Sequence, residues 1–199
     1  MPETGPAIGI FGGTFDPIHT AHLELAELVR VTLDLDRMLL VVANQPWQKE
    51  GERVVTPAED RFALVEAAAR GWPGLSPSRI EIDRGGPSYT VDTVHQLLAD
   101  EPGARITLVV GSDVVAGLRT WHHEAELRNL VTLAVVGRPG ADLVEPPPGW
   151  RALTVPAAPF DVSSTELRRR LEGGVPVEGL LPEAVIRCIR ERGLYATDR

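Results

Sequence analysis

The sequence predicts an α/β protein built on a doubly wound, mostly parallel sheet. Segments of continuous apolar residues, many of them β-branched, alternate along the chain with segments of helical period. The apolar segments are strand-sized and lack polar alternation, which is typical of parallel strands covered on both faces. In sheets of this kind, ligands bind beyond the carboxyl ends of the strands. The loops that follow the strands are therefore expected to carry the functional site.

The predicted elements follow one another in a regular order. Strands are predicted at residues 7–11, 38–43, 79–83, 105–110, 130–136 and 152–155. Helices are predicted at residues 16–33, 57–70, 90–99, 163–171 and 182–192, with Asp16 as the cap and Pro17 as the first position of the first helix. Residues 44–56 and 139–150 lack a period and are expected to form loops. We expect one domain over residues 1–199, with residues 161–199 as its C-terminal helical part.

Composition excludes several classes of protein. The chain has 199 residues, 43% of them hydrophobic, which is enough for a core, and its formal net charge of −8 argues against a nucleic-acid surface. The single cysteine, Cys188, excludes a disulfide framework and a multi-cysteine zinc site. No apolar run reaches the length of a membrane span, and no signal peptide is visible. We therefore expect a cytoplasmic protein that binds neither nucleic acid nor membranes, and a homo-oligomer stays open.

The loop after the first strand carries the first motif, Gly12-Gly13-Thr14-Phe15-Asp16-Pro17-Ile18-His19-Thr20-Ala21-His22. Glycines let a ligand approach the backbone, and a helix N-terminus suits phosphate. His19 and His22 are three positions apart and are expected on one helix face, where two imidazoles can donate hydrogen bonds to phosphoryl oxygens. An ordinary strand–helix turn with surface histidines stays open. Zinc is disfavoured because no third ligand is visible, and no dinucleotide glycine fingerprint or Walker lysine is present.

The second motif is Ser163-Ser164-Thr165-Glu166-Leu167-Arg168. Ser163 and Glu166 match a capping box, which explains these two residues without any function. It does not explain three consecutive hydroxyls followed by Arg168, a cation early in a helix. Backbone N–H groups, hydroxyls and a guanidinium gathered at one place would suit a polyphosphate.

Together these motifs resemble the nucleotidyltransferase superfamily that carries His-x-x-His, and more narrowly the bacterial nicotinate-nucleotide adenylyltransferases. The similarity covers essentially the whole chain and includes Gln45-Pro46-Trp47-Gln48-Lys49, Gly86-Pro87-Ser88-Tyr89-Thr90-Val91-Asp92-Thr93, Gly111-Ser112-Asp113 and Trp121. It implies a Rossmann-like nucleotidyltransferase fold. Ala21 stands where the family commonly has Gly, and we expect its added methyl group to be tolerated.

The resemblance also implies a reaction. The adenylyl group of ATP would pass to nicotinate mononucleotide, giving deamido-NAD and pyrophosphate in NAD biosynthesis. The attack on the α-phosphorus would be direct, so catalysis would consist of positioning and charge stabilisation. Mg²⁺ is expected to arrive with ATP, because no dedicated carboxylate cluster is visible in the sequence.

The same resemblance implies the site residues. The predicted catalytic residues are His19, His22 and Arg168. The predicted ATP-binding residues are Gly12, Gly13, Phe15, Gly111, Asp113, Ser163, Ser164 and Thr165. The predicted acceptor-binding residues are Lys49 near the mononucleotide phosphate, Trp121 stacked on the nicotinate ring, and Thr90 and His122 at its carboxylate. Simpler explanations stay open: Trp121 in the core, Asp113 as a helix cap, and Lys49 as the one lysine left by a codon bias towards arginine.

Other functions remain as alternatives. The nearest are adenylyl transfer to nicotinamide mononucleotide or to phosphopantetheine; the phosphopantetheine enzymes usually have Thr at the position of His19. A cytidylyltransferase is a further relative. A nicotinamide-dependent oxidoreductase is disfavoured by the missing glycine fingerprint, and a non-catalytic nucleotide-binding module is disfavoured by the intact His19, His22 and Arg168.

Overall fold

A six-stranded sheet with the strand order β3-β2-β1-β4-β5-β6 organises the chain. The computed structural model describes residues 5–46, 54–137, 145–156 and 162–196. The strands are β1 (Ala7–Gly13), β2 (Arg37–Val42), β3 (Leu75–Ser78), β4 (Arg105–Gly111), β5 (Val131–Gly137) and β6 (Ala152–Pro156). The helices in these ranges are α1 (Thr20–Thr32), α2 (Ala58–Ala69), α3 (Ile80–Arg84), α4 (Thr90–Asp100), α5 (Ser112–Val115), α6 (Glu124–Leu130), α7 (Ser164–Glu172), α8 (Glu183–Arg192) and a 3₁₀ helix at Leu118–Thr120.

The pairing of the strands confirms the predicted parallel sheet. β1 pairs in parallel with β4, β4 with β5, and β5 with β6. Isoleucine, leucine and valine fill the interiors of β1, β4 and β5, which are almost entirely buried. Continuous apolar strands of this kind require cover on both faces, and helices supply it in α/β folds. In the described ranges, no helix is long and apolar enough to span a lipid bilayer.

The chain groups into two compact units. The first unit comprises Met1–Gly12, Ala26–Leu39 and Tyr89–Pro159, and its core includes Ile8, Leu133 and Leu127. The second unit comprises Gly13–Leu25, Leu40–Ser88 and Phe160–Arg199, and its core includes Leu64 and Val185. The prediction of a single domain over the whole chain stays a prediction.

Two predicted elements are wrong. The segment 79–83 is predicted to be a strand, but it forms α3, and β3 precedes it. Ile80 and Ile82 alternate with polar residues in this segment. The buried side chain there is Glu81, whereas both isoleucines are only half-buried, so the alternation does not mark an inward face. The helix expected from Asp16 begins instead at Thr20.

The remaining predicted elements are confirmed with small shifts at their ends. α7 and α8 form the predicted C-terminal helical part. The sequence reasoning missed α5, the 3₁₀ helix and α6, which lie between β4 and β5. These helices are short, at most seven residues in α6, and too short to show a clear helical period.

Candidate active site

The segment after β1 is a tightly held turn rather than the start of a helix. Gly12 and Gly13 are the last residues of β1, and Phe15 has a left-handed backbone with φ of 48°. A side chain at residue 13 would meet the ring of Phe15, because a Cβ there would lie 2.9 Å from it. At Gly12, no atom of the part of the chain that the structure describes lies within 4 Å of the corresponding position. Gly13 is therefore required by packing, whereas Gly12 is not.

Asp16 explains why the predicted helix start is wrong. Its side chain is 1% exposed and accepts hydrogen bonds from two distant parts of the chain. The Tyr195 hydroxyl donates to Oδ1 at 2.7 Å, and the Thr56 N–H lies 3.4 Å from Oδ2. Its peptide bond to Pro17 is cis. A carboxylate engaged by these tertiary partners is not available as a helix cap, and no local pattern announces them.

The two signature histidines lie face to face. His19 precedes α1 and His22 is its third residue, and their ring centroids are 3.6 Å apart with an interplanar angle of 24°. The edge of Phe15 faces His22. The backbone N–H of His19 donates to Nδ1 of His22 at 3.3 Å, so a neutral His22 carries its proton on Nε2. The predicted proximity of the two imidazoles is confirmed, although a pre-helical turn rather than one helix face produces it.

Burial controls the charge of His19. His19 is 5% exposed, and desolvation lowers its pKa from 6.5 to about 4. His19 is therefore neutral at pH 7. Its buried Nδ1 has no hydrogen-bond partner among the described residues. A neutral imidazole can donate one hydrogen bond to an anion without bringing a full positive charge into the site.

The second motif lies at the start of α7 and is tied to the first. Arg168 donates from Nη1 to the carbonyl oxygen of Asp16 at 2.6 Å and from Nη2 to Oγ1 of Thr165 at 3.1 Å. Ser164 donates from Oγ to the carbonyl oxygen of Pro17 at 2.9 Å. The structure thus brings Ser164, Thr165 and Arg168 to the Asp16–Pro17 turn, as expected from sequence.

The predicted capping box is present only in part. Oγ of Ser163 accepts from the backbone N–H of Glu166 at 3.2 Å, as a cap should. The carboxylate of Glu166 instead binds Arg169 at 2.6 Å and Arg170 at 2.9 Å. These two arginines belong to the partly exposed face of α7, as expected.

A buried arginine that the sequence reasoning missed holds three segments together. Arg61 is 1% exposed, and its guanidinium donates to the carbonyl oxygens of Thr56 at 2.7 Å, Thr14 at 2.8 Å and Asn44 at 3.2 Å. Asn44 also donates from its backbone to Oγ of Ser88 at 2.8 Å. Arg61 occupies the apolar face of α2, and this misplaced charge was the available sequence signal. Lys49 lies outside the described residues.

The other predicted site residues belong to the first unit. Gly111 ends β4, and a Cβ there would lie 2.4 Å from Oδ1 of the exposed Asp113, so a side chain would displace that carboxylate. Asp113 is the second residue of α5, and Gly111 occupies the N-cap position of that helix. The prediction that Gly111 and Asp113 contact adenosine stays a prediction.

The predicted acceptor-binding residues follow the 3₁₀ helix and begin α4. Trp121 is half-buried, and its Nε1 is buried without a hydrogen-bond partner among the described residues. The exposed ring of His122 stacks on Tyr89 at 4.2 Å. Thr90 is the first residue of α4, whose N-terminus has no side-chain cap hydrogen bond. The structure therefore places Thr90 next to Tyr89 in the chain and His122 against the ring of Tyr89.

Comparisons with known proteins agree with this arrangement. Residues 10–170 match the family described as cytidylyltransferase-like. A Corynebacterium kroppenstedtii protein named "Probable nicotinate-nucleotide adenylyltransferase" is 42% identical over 96% of this chain and 91% of its own length. A Streptomyces coelicolor protein of the same name is 43% identical over 92% of this chain and 98% of its own. The chain therefore belongs to the cytidylyltransferase-like family, and within it to the group of the nicotinate-nucleotide adenylyltransferases, as the motifs indicate.

Solved structures show the same fold at low sequence identity. The Plasmodium falciparum nicotinic acid mononucleotide adenylyltransferase in complex with NaAD superimposes with a TM-score of 0.77 at 15% identity, covering 96% of this chain and 97% of that chain. The same enzyme in complex with APC has a TM-score of 0.72 over the same shares. This similarity confirms the Rossmann-like nucleotidyltransferase fold.

Proposed function

We propose that this chain transfers the adenylyl group of ATP to nicotinate mononucleotide, releasing pyrophosphate and forming deamido-NAD in NAD biosynthesis. The observation that carries the proposal is the attachment of Arg168 to the turn that leads into the stacked His19 and His22. The names of the relatives and the NaAD bound by the Plasmodium enzyme support the choice of acceptor. We also propose that the chain acts in the cytoplasm.

The reaction requires little covalent chemistry from the protein. A phosphate oxygen of the mononucleotide forms a bond to the α-phosphorus of ATP, the bond from that phosphorus to the bridging oxygen breaks, and pyrophosphate leaves with the electron pair. Negative charge moves onto the α-phosphoryl and leaving oxygens. His19, as a neutral imidazole, and His22, through its Nε2, donate hydrogen bonds to these oxygens, and Arg168 supplies positive charge. Mg²⁺ enters bound to ATP.

The hydroxyls of the second motif divide into two roles. A hydroxyl has one proton to donate and two lone pairs. The hydroxyl of Ser164 donates its proton to the carbonyl of Pro17. The hydroxyl of Ser163 accepts from Glu166 and that of Thr165 accepts from Arg168, so both protons remain available. We therefore assign Ser163 and Thr165 to the β- and γ-phosphates and Ser164 to holding the turn. Gly12, Gly13 and Phe15 line the nucleotide, and Gly111 and Asp113 bind adenosine.

The acceptor is assigned to aromatic and helix-end groups. Trp121 stacks on the nicotinate ring, and Thr90 with the backbone at His122 orients its carboxylate, since an uncapped helix N-terminus favours an anion. Lys49 binds the mononucleotide phosphate. Among the described residues, no group of three or more His, Cys, Asp or Glu side chains could hold a metal ion.

The test is release of pyrophosphate from ATP and Mg²⁺ by the purified protein. Nicotinate mononucleotide, nicotinamide mononucleotide and phosphopantetheine are supplied as acceptors in parallel reactions. We expect release with nicotinate mononucleotide at the highest kcat/KM. Pyrophosphate release only with nicotinamide mononucleotide or only with phosphopantetheine would show that this acceptor is the substrate instead. No release with any of the three acceptors would refute the proposed function.

A further inference from the structure

Tyr195 reaches the signature turn from the far end of the described chain. Its hydroxyl donates to Oδ1 of Asp16 at 2.7 Å, across 179 positions of sequence. The carbonyl of the same Asp16 accepts from Arg168 at 2.6 Å. Asp16 thus accepts a hydrogen bond from Tyr195 with its side chain and one from Arg168 with its backbone carbonyl. Any shift of Asp16 therefore moves both contacts.

The end of α8 aims Tyr195 at this carboxylate. Gly193 closes the helix in the left-handed conformation with φ of 64°, and the N–H of Leu194 donates to the carbonyl of Ile189 at 3.0 Å. Tyr195 itself has φ of 57°, which is uncommon for an aromatic residue. Such a conformation persists where tertiary contacts determine it, and the bond to Asp16 is a contact of this kind.

The hydroxyl of Tyr195 adds little to the attachment of α8. The helix is held by apolar side chains, with Val185, Ile186 and Ile189 all buried. Burial and the neighbouring Asp16 carboxylate raise the pKa of Tyr195, so the phenol remains a donor throughout the neutral range. A carboxylate that is 1% exposed needs such donors to stay ionised in one orientation.

We propose that Tyr195 is a positioning residue for adenylyl transfer, which acts through Asp16 to fix the guanidinium of Arg168 at the turn leading into His19 and His22. The inference rests on the proposed function and deepens it. It makes the C-terminal segment part of the polyphosphate-binding apparatus, although Tyr195 itself touches no substrate. Removing its hydroxyl should therefore lower kcat/KM for ATP without changing KM for the acceptor.

The first experiment removes only the hydroxyl, by Tyr195→Phe. We expect kcat/KM for ATP to fall about tenfold, while KM for nicotinate mononucleotide changes less than twofold. The matched control is Ile189→Val, which loosens α8 without touching Asp16. We expect this control to lower Tm at least as much as Tyr195→Phe and to leave both kinetic constants unchanged. Equal kinetic losses in the two variants would reduce Tyr195 to a structural role and overturn the inference.

The second experiment is a double-mutant cycle with Arg168→Ala. If Tyr195 acts by placing Arg168, adding Tyr195→Phe to Arg168→Ala lowers kcat/KM by less than a further twofold. A further tenfold loss would show independent effects and overturn the inference. Every variant is first checked for native circular dichroism and a cooperative thermal transition.

Binding of inorganic tripolyphosphate, measured by calorimetry, separates this inference from the proposed function. We expect Tyr195→Phe to weaken this binding several-fold whether or not the wild type turns over nicotinate mononucleotide. A wild type that releases no pyrophosphate would refute the function alone. An active wild type with unchanged tripolyphosphate affinity and unchanged kcat/KM in Tyr195→Phe would refute the inference and leave the function standing.

Discussion

The residues around the candidate site are held in contrasting ways in the two units. In the second unit, Asp16, His19 and Arg61 are almost fully buried, and hydrogen bonds join them to segments far along the chain. In the first unit, Asp113 and His122 are exposed, and His122 is held mainly by ring stacking on Tyr89. Donors that stabilise developing charge act best when fixed in a dry environment, whereas recognition of a flat ring needs only surfaces. This contrast predicts that substitutions in the second unit cause larger losses of stability or activity than substitutions in the first unit.

The largest effect is expected at Arg61, and it is an effect on stability. Arg61→Met retains much of the side-chain length but removes the donors to Thr14, Asn44 and Thr56. We expect the free energy of unfolding to fall by about 3–5 kcal/mol, because buried carbonyls lose their partners. Urea-induced unfolding measures it, with the exposed Arg70→Met at the end of α2 as control. A loss below about 1 kcal/mol would contradict the bracing role of Arg61.

The next largest effect is expected on catalysis at His22. His22→Ala removes a half-buried imidazole that is stacked on His19. We expect kcat to fall by roughly 10²–10³ with Tm little changed, the usual result of removing one donor to developing charge. The control is His95→Ala, whose exposed ring pairs with Glu126 in the first unit and should leave the rate unchanged. A near wild-type rate in His22→Ala would remove His22 from the mechanism.

The third effect is a pH dependence of stability that arises from His19. The pKa of His19 is about 4 in the folded chain and 6.5 without burial, so between these values only the unfolded chain binds the proton. The contribution of neutral His19 is fully present above pH 6.5 and is lost as pH falls towards 4. From pH 7 to pH 5 the wild type should lose about 2 kcal/mol more than His19→Gln. Equal losses in denaturant titrations would show that His19 is not desolvated.

The sequence was sufficient for every strand except β3 and for the two motifs, but not for the hydrogen bonds that hold Asp16 and Arg61 to distant segments. β1, β2, β4 and β5 were predictable because buried parallel strands leave continuous apolar runs. The bond between Tyr195 and Asp16 was not predictable, because it joins positions 179 apart and neither neighbourhood is unusual. Asp16 before Pro17 was misinterpreted for the same reason: a local capping signal cannot show that the carboxylate has a tertiary partner.

The smallest effect is expected in the first unit, at Trp121. Trp121→Leu keeps an apolar side chain but removes the aromatic face assigned to nicotinate. We expect KM for nicotinate mononucleotide to rise about five- to tenfold, in line with about 1 kcal/mol of aromatic stacking, with KM for ATP unchanged. Trp72→Leu, another half-buried tryptophan, is the control for loss of an indole and should change neither constant. If Trp121 is a core residue instead, Trp121→Leu will lower Tm and leave both KM values unchanged. The buried Nε1 has no hydrogen-bond partner among the described residues, which argues against that outcome because a core tryptophan normally finds an acceptor for its N–H.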